Sequence, residues 1–155
     1  MLSGQEPRSR RLIVGIGNLS RGDDALGPLA VERLEAWRLP DTELLTDYQL
    51  QVEYLLDMAG RDEVIFIDAT VDPAVETFAF AAVEARQDAS YSSHELSPQS
   101  LLAAYERHFG AAPPPCFVLA IRAWDFELGD GLSSAAAAGL EQALAFLSAR
   151  LAKDS

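Results

Sequence analysis

The stretch from Ile13 to Gly27 (Ile-Val-Gly-Ile-Gly-Asn-Leu-Ser-Arg-Gly-Asp-Asp-Ala-Leu-Gly) constrains this chain more than any other. Its apolar start closes on Gly15 and Gly17, and residues at the helical period follow. That is the pattern of a buried strand, a tight loop and a helix. In an open α/β sheet, ligands bind in the crevice beyond the carboxyl ends of the strands. Asp23 and Asp24 fall at that place and are candidates for chemistry. Each also has a plainer use: Asp23 as a helix N-cap, Asp24 as a first-turn anion favoured by the helix dipole.

The remaining chain repeats the alternation. Leu12–Gly17 reads as strand one, and Leu26, Ala30, Leu34 and Trp37 stripe a helix from Ala25 to about Leu39. Glu43–Asp47 is a second strand, and Val52, Leu55, Leu56 and Ala59 mark a second helix closed by Gly60. Val64–Asp68 is continuously apolar up to its carboxylate, as expected of a strand covered on both faces. Thr77–Val83 and Cys116–Ile121 are further strands. Leu101, Leu102, Tyr105 and Phe109 stripe a third helix, with Pro98 in its first turn. Leu140, Leu144, Leu147 and Leu151 seam the last. Short strands alternating with helices predict an α/β fold: one domain, three layers (α/β/α), with a mostly parallel, twisted five-stranded sheet. Residues 1–11 read as a loose polar tail and 12–152 as the domain.

Composition narrows the partners. A net charge of −12 over 155 residues opposes nucleic-acid binding, because phosphates repel such a surface. No apolar run reaches the ~18 residues of a membrane helix, and nothing at the amino terminus resembles a signal peptide. The lone Cys116 excludes an intrachain disulfide. A cytoplasmic protein is expected. Cys116 reads as a small core residue, and His108 as a cation near a helix end.

Three chemically able side chains converge on this frame. Asp24 follows strand one, Asp68 ends strand three, and His94 lies in the polar loop before the third helix. Strands one and three are expected to be neighbours, which brings their ends to one crevice. A carboxylate straight after Val-Ile-Phe-Ile is costly to desolvate without a partner. Two carboxylates and an imidazole suit a borderline divalent metal such as nickel or zinc, and equally suit acid–base work. Asp47, at the end of strand two, is either a turn residue or part of the site wall. A rival reading is a dinucleotide fingerprint beginning at Gly15-x-Gly17. Position 20 is then serine where glycine is required, Gly22 comes two residues late, and Asp23 and Asp24 oppose a pyrophosphate.

Gly15-Ile16-Gly17-Asn18 followed by Asp23-Asp24-x-x-Gly27 resembles the opening motif of the hydrogenase maturation endopeptidases. The resemblance continues through Leu55–Asp62, Phe66-Ile67-Asp68-Ala69, Ser93-His94-x-Leu96 and Gly131-Leu132-Ser133. It implies an enzyme that trims the carboxyl-terminal extension from the large-subunit precursor of a nickel–iron hydrogenase. It also implies that Asp24, Asp68 and His94 contact nickel already held in that precursor, so no tightly bound cofactor of the chain's own is expected. Many members carry Asp-Gly-Gly-Thr-x-Gly after the second strand; here the stretch reads Asp47-Tyr48-Gln49-Leu50-Gln51-Val52-Glu53. Bulkier Tyr48 and Gln49 reshape that wall, where Asp23, Asp47 and Gln49 are expected to meet the substrate. Cleavage then needs an activated water, supplied by the metal or by a carboxylate acting as general base. Two other classes fit the same residues: a non-catalytic, nickel-dependent docking protein, and a nucleotide-binding domain.

Overall fold

The computed structural model describes residues 8–86, 96–127 and 131–153. Five strands form one sheet in the order β2-β1-β3-β5-β4. They are β1 (Arg11–Ile16), β2 (Thr42–Asp47), β3 (Glu63–Thr70), β4 (Phe78–Ala82) and β5 (Cys116–Arg122). The first three and β5 run parallel, with Gly15 level with both Thr46 and Ile67, and Asp68 level with Ala120. Edge strand β4 is antiparallel to β5. Only a short loop separates it from β3, too little chain for the crossover that a parallel return requires.

Among the described residues four α-helices sandwich this sheet: α1 (Leu26–Glu35), α2 (Tyr54–Met58), α3 (Pro98–Phe109) and α4 (Ser134–Lys153). Strand side chains alternate between the two faces. Ile13, Ile65, Ile67, Leu119 and Ile121 pack with α1 and α4, whereas Leu12, Val14, Ile16, Val64 and Phe66 pack with α2 and α3. The α/β class and the mostly parallel five-stranded sheet match the sequence expectation.

Element ends depart from it for local reasons. A 3-10 turn over Gly22–Ala25 precedes α1, so Asp23 and Asp24 lie before the helix proper. Helix α1 stops at Glu35 instead of reaching Leu39. Trp37 and Arg38 donate only to carbonyls three residues back, and Arg38 and Asp41 take left-handed φ values of 51° and 50° around Pro40. The second helix is shorter than Val52–Ala59 because the residues before Tyr54 form a turn of the same three-residue kind. Strand β3 runs two residues past Asp68, since Ala69 and Thr70 still pair with Ile121 and Arg122.

Residues 9–11, placed in the tail by the sequence reading, are bonded to the body of the fold. Arg11 is already in β1, the Arg10 carbonyl accepts from Asp62 N, and the Ser9 carbonyl accepts from the buried Arg61 guanidinium at 2.9 Å. Among the described residues no helix is long and apolar enough to cross a membrane.

Candidate active site

Close backbone packing builds the site at the carboxyl end of the sheet. A Cβ on Gly27 would lie 2.4 Å from the Ile16 carbonyl oxygen and 2.6 Å from that of Ile67. Only glycine lets α1 start against the ends of β1 and β3 at once. Gly17, at φ 148°, turns the chain out of β1 so closely that a Cβ there would sit 1.9 Å from the Asp24 carbonyl oxygen. The glycines therefore admit the turn carrying Asp23 and Asp24.

Asp24 is half-buried, and its Oδ2 accepts the Asn18 N–H at 2.9 Å. The turn that carries it packs against β3. Asp68, also half-buried, stands on β3, the neighbour of β1, and its Oδ1 accepts the N–H of Ala69 at 2.8 Å. By strand alternation Asp68 shares the face of Phe66, the face that α2 and α3 cover. Both carboxylates thus stand at one end of one face-covered sheet. His94 lies outside the described residues. Leu96, two residues on, packs in the α2–α3 core beside that face. Among the described residues no three His, Cys, Asp or Glu side chains form a metal-binding group. A carboxylate oxygen can accept more than one donor, and carboxylates are oxygen ligands for divalent cations.

Asp23 departs from both of its expected uses. It is fully buried, so it presents nothing to a substrate, and the helix it precedes receives no side-chain cap. Instead Oδ2 accepts the N–H groups of Trp124 and Asp125 at 2.7 and 2.8 Å and the Ser133 hydroxyl at 2.7 Å, while Oδ1 accepts the Ser133 N–H at 2.7 Å. Ser133 Oγ in turn accepts from Ala136 N at the start of α4. One carboxylate joins the loop after β1 to the loop after β5 and to the last helix. Burial pushes its pKa up, but the Ser133 hydroxyl and the three backbone N–H groups outweigh this and hold it below the ordinary value. The sequence offers no signal for this role, because the partners lie more than a hundred residues away.

Asp47 lies on the wall of a cleft of about 300 Å³ lined with Gly17, Leu19, Pro28, Thr46 and Tyr48. Its Oδ1 accepts the Tyr48 N–H at 2.7 Å and its Oδ2 the Tyr54 hydroxyl at 2.8 Å. Burial and this carboxylate push the Tyr54 phenol well up. Gln49 is exposed and is not among the residues lining that cleft. Cys116 is a core residue whose burial pushes its thiol up to about 12, so it is no nucleophile. His108 sits exposed in the last turn of α3, edge-on to Phe109.

A doubly covered parallel sheet with acids at its carboxyl edge defines a class of α/β proteins that act on a ligand at that edge. No family model matches the sequence. The hydrogenase 2 maturation protease of Escherichia coli is 33% identical over 94 residues, 59% of this chain; the match spans only 57% of that protein's length. The structure of the E. coli hydrogenase maturating endopeptidase HybD superposes with a TM-score of 0.75 at 30% identity, covering 94% of both chains. That of the [NiFe] hydrogenase maturation protease HycI from Thermococcus kodakarensis gives 0.73 at 25% identity, covering 96% of this chain and 94% of that one. The chain belongs to the hydrogenase maturation endopeptidase family.

Proposed function

We propose that this chain is an endopeptidase that removes the carboxyl-terminal extension of a nickel–iron hydrogenase large-subunit precursor after nickel has been inserted. The observation that carries the reading is the placement of Asp24 and Asp68 at the carboxyl end of neighbouring strands β1 and β3, in a chain of this family. The nickel is cargo of the substrate. Asp24 and Asp68 donate oxygen to it and His94 nitrogen, a set that suits nickel, and the chain holds no tightly bound cofactor of its own. Docking on the ion anchors the tail and brings one peptide carbonyl into the crevice. Nickel acts there as a Lewis acid on the carbonyl or on water, and a carboxylate of the pair accepts the water's proton as general base. An unloaded precursor brings no cation to Asp24 and Asp68, so its docking lacks the interaction that selects the loaded form. Asp47 and Gln49 flank the path of the tail. A cytoplasmic setting belongs to the reading, supported by a lone cysteine and no disulfide to maintain.

The test is intact-mass spectrometry of a large-subunit precursor, nickel-loaded or nickel-free, after incubation with the purified chain. Loss of the extension from the loaded form alone supports the reading. A loaded precursor of unchanged mass, in complex with the chain, converts it to a docking protein.

A further inference from the structure

We infer that the carboxyl edge of the sheet is a docking face for the folded body of the precursor, built as an apolar row within an acidic surround; this rests on the function proposed above. Across the sheet, β2, β1, β3 and β5 are each followed within three residues by one exposed large apolar side chain: Tyr48, Leu19, Val71 and Trp124. Their exposures are 73, 56, 64 and 52%. Single exposed apolar residues are ordinary; one per strand, in sheet order, at the edge that carries Asp24 and Asp68 is an aligned surface. Strand spacing of about 4.8 Å makes the row about 14 Å wide. That exceeds a single extended tail and suits a globular partner.

Trp124 is built as an anchor. The Arg122 guanidinium lies 4.1 Å from its ring centroid and also donates to the Val75 carbonyl at 3.0 Å. The Trp124 N–H is held by Asp23. A braced aromatic loses little freedom on binding, which is the property of an interface hot spot.

Charge identifies the kind of partner. The same loops carry exposed Glu53, Asp72, Glu76, Asp125 and Glu127, against Arg21 as the exposed cation among their described residues. A second copy is disfavoured, because a two-fold contact would set this face against itself. The face fits a protein with a cationic surface around its nickel site, steered in by charge.

The experiment measures binding of a nickel-loaded precursor to the immobilised full chain at two salt concentrations, with KM and kcat for tail removal alongside. Tyr48→Ser and Trp124→Ser are each expected to weaken binding about tenfold and to raise KM, with kcat changed far less. Trp124→Phe, which keeps a ring over Arg122, restores most of the affinity. Glu76→Lys with Glu127→Lys slows association, as does added salt. Leu56→Ser, an exposed apolar change on α2 outside the row, leaves binding unchanged. Row variants that bind within twofold of a wild-type chain that cleaves overturn the inference, as does salt-independent association. A wild-type chain that binds through the row and never cleaves upholds the docking face and overturns the endopeptidase reading. A chain that neither binds nor cleaves overturns both.

Discussion

Asp23 and Asp24 are adjacent carboxylates with opposite surroundings, and the same conservative change separates them. Asp23 accepts four donors in the interior. An Asn there turns an NH2 group toward donors and leaves buried N–H groups unpaired, at about 1–3 kcal/mol each. Urea denaturation of Asp23→Asn is therefore expected to show a loss of about 2 kcal/mol or more. An unchanged midpoint would contradict the network. This reverses the sequence-level expectation of a tolerant N-cap. Asp24 accepts one described N–H, from Asn18, and an amide oxygen can do the same. Asp24→Asn should fold with wild-type stability and lose tail removal; wild-type cleavage rates would remove Asp24 from the chemistry.

At the scale of elements, the contact between the start of α1 and the ends of β1 and β3 sets where the turn bearing Asp24 sits. Gly27→Ala places a methyl against the Ile16 and Ile67 backbones. Relief requires α1 to shift, so a destabilisation of about 1–3 kcal/mol is expected by thermal unfolding, with reduced activity. A variant as stable and active as wild type would show the contact to be slack. Much of this architecture was legible in the sequence. The unbroken Val64–Ile67 run gave β3 and its burial, and the glycine-punctuated Ile13–Gly27 stretch gave the strand, the turn and the helix start. What escaped depends on distant partners. The stop of α1 at Glu35 comes from left-handed residues around Pro40, and the anchoring of Ser9 and Arg10 from Arg61 and Asp62. The burial of Asp23 depends on Trp124 and Ser133. His94, the third member of the expected trio, lies outside the described residues.

Over the whole molecule, one buried and one half-buried carboxylate tie the two ends of the sheet to the last helix. Asp23 does so at the carboxyl end. Near the amino end of β3, Glu63 accepts from Arg11 at 2.9 Å and Arg150 at 2.6 Å. Burial raises the Glu63 pKa, but the two guanidinium groups more than offset it, so it too ends below the ordinary value. A carboxyl that ionises more readily folded than unfolded stabilises the fold above the ordinary carboxylate range, and that contribution fades as pH falls below about 4. Denaturation midpoints should accordingly decline from about pH 5 downward, with a weaker decline in Glu63→Gln. An identical acid profile in the variant would contradict the pairing. The central claim is that the carboxylates at the ends of β1 and β3 perform the cleavage. The most direct measurement is the rate at which Asp68→Asn, shown to be folded, removes the extension from a nickel-loaded precursor, followed by intact mass beside wild type. The account predicts extension loss with wild type and an unchanged precursor mass with Asp68→Asn; cleavage by both at equal rates would contradict it.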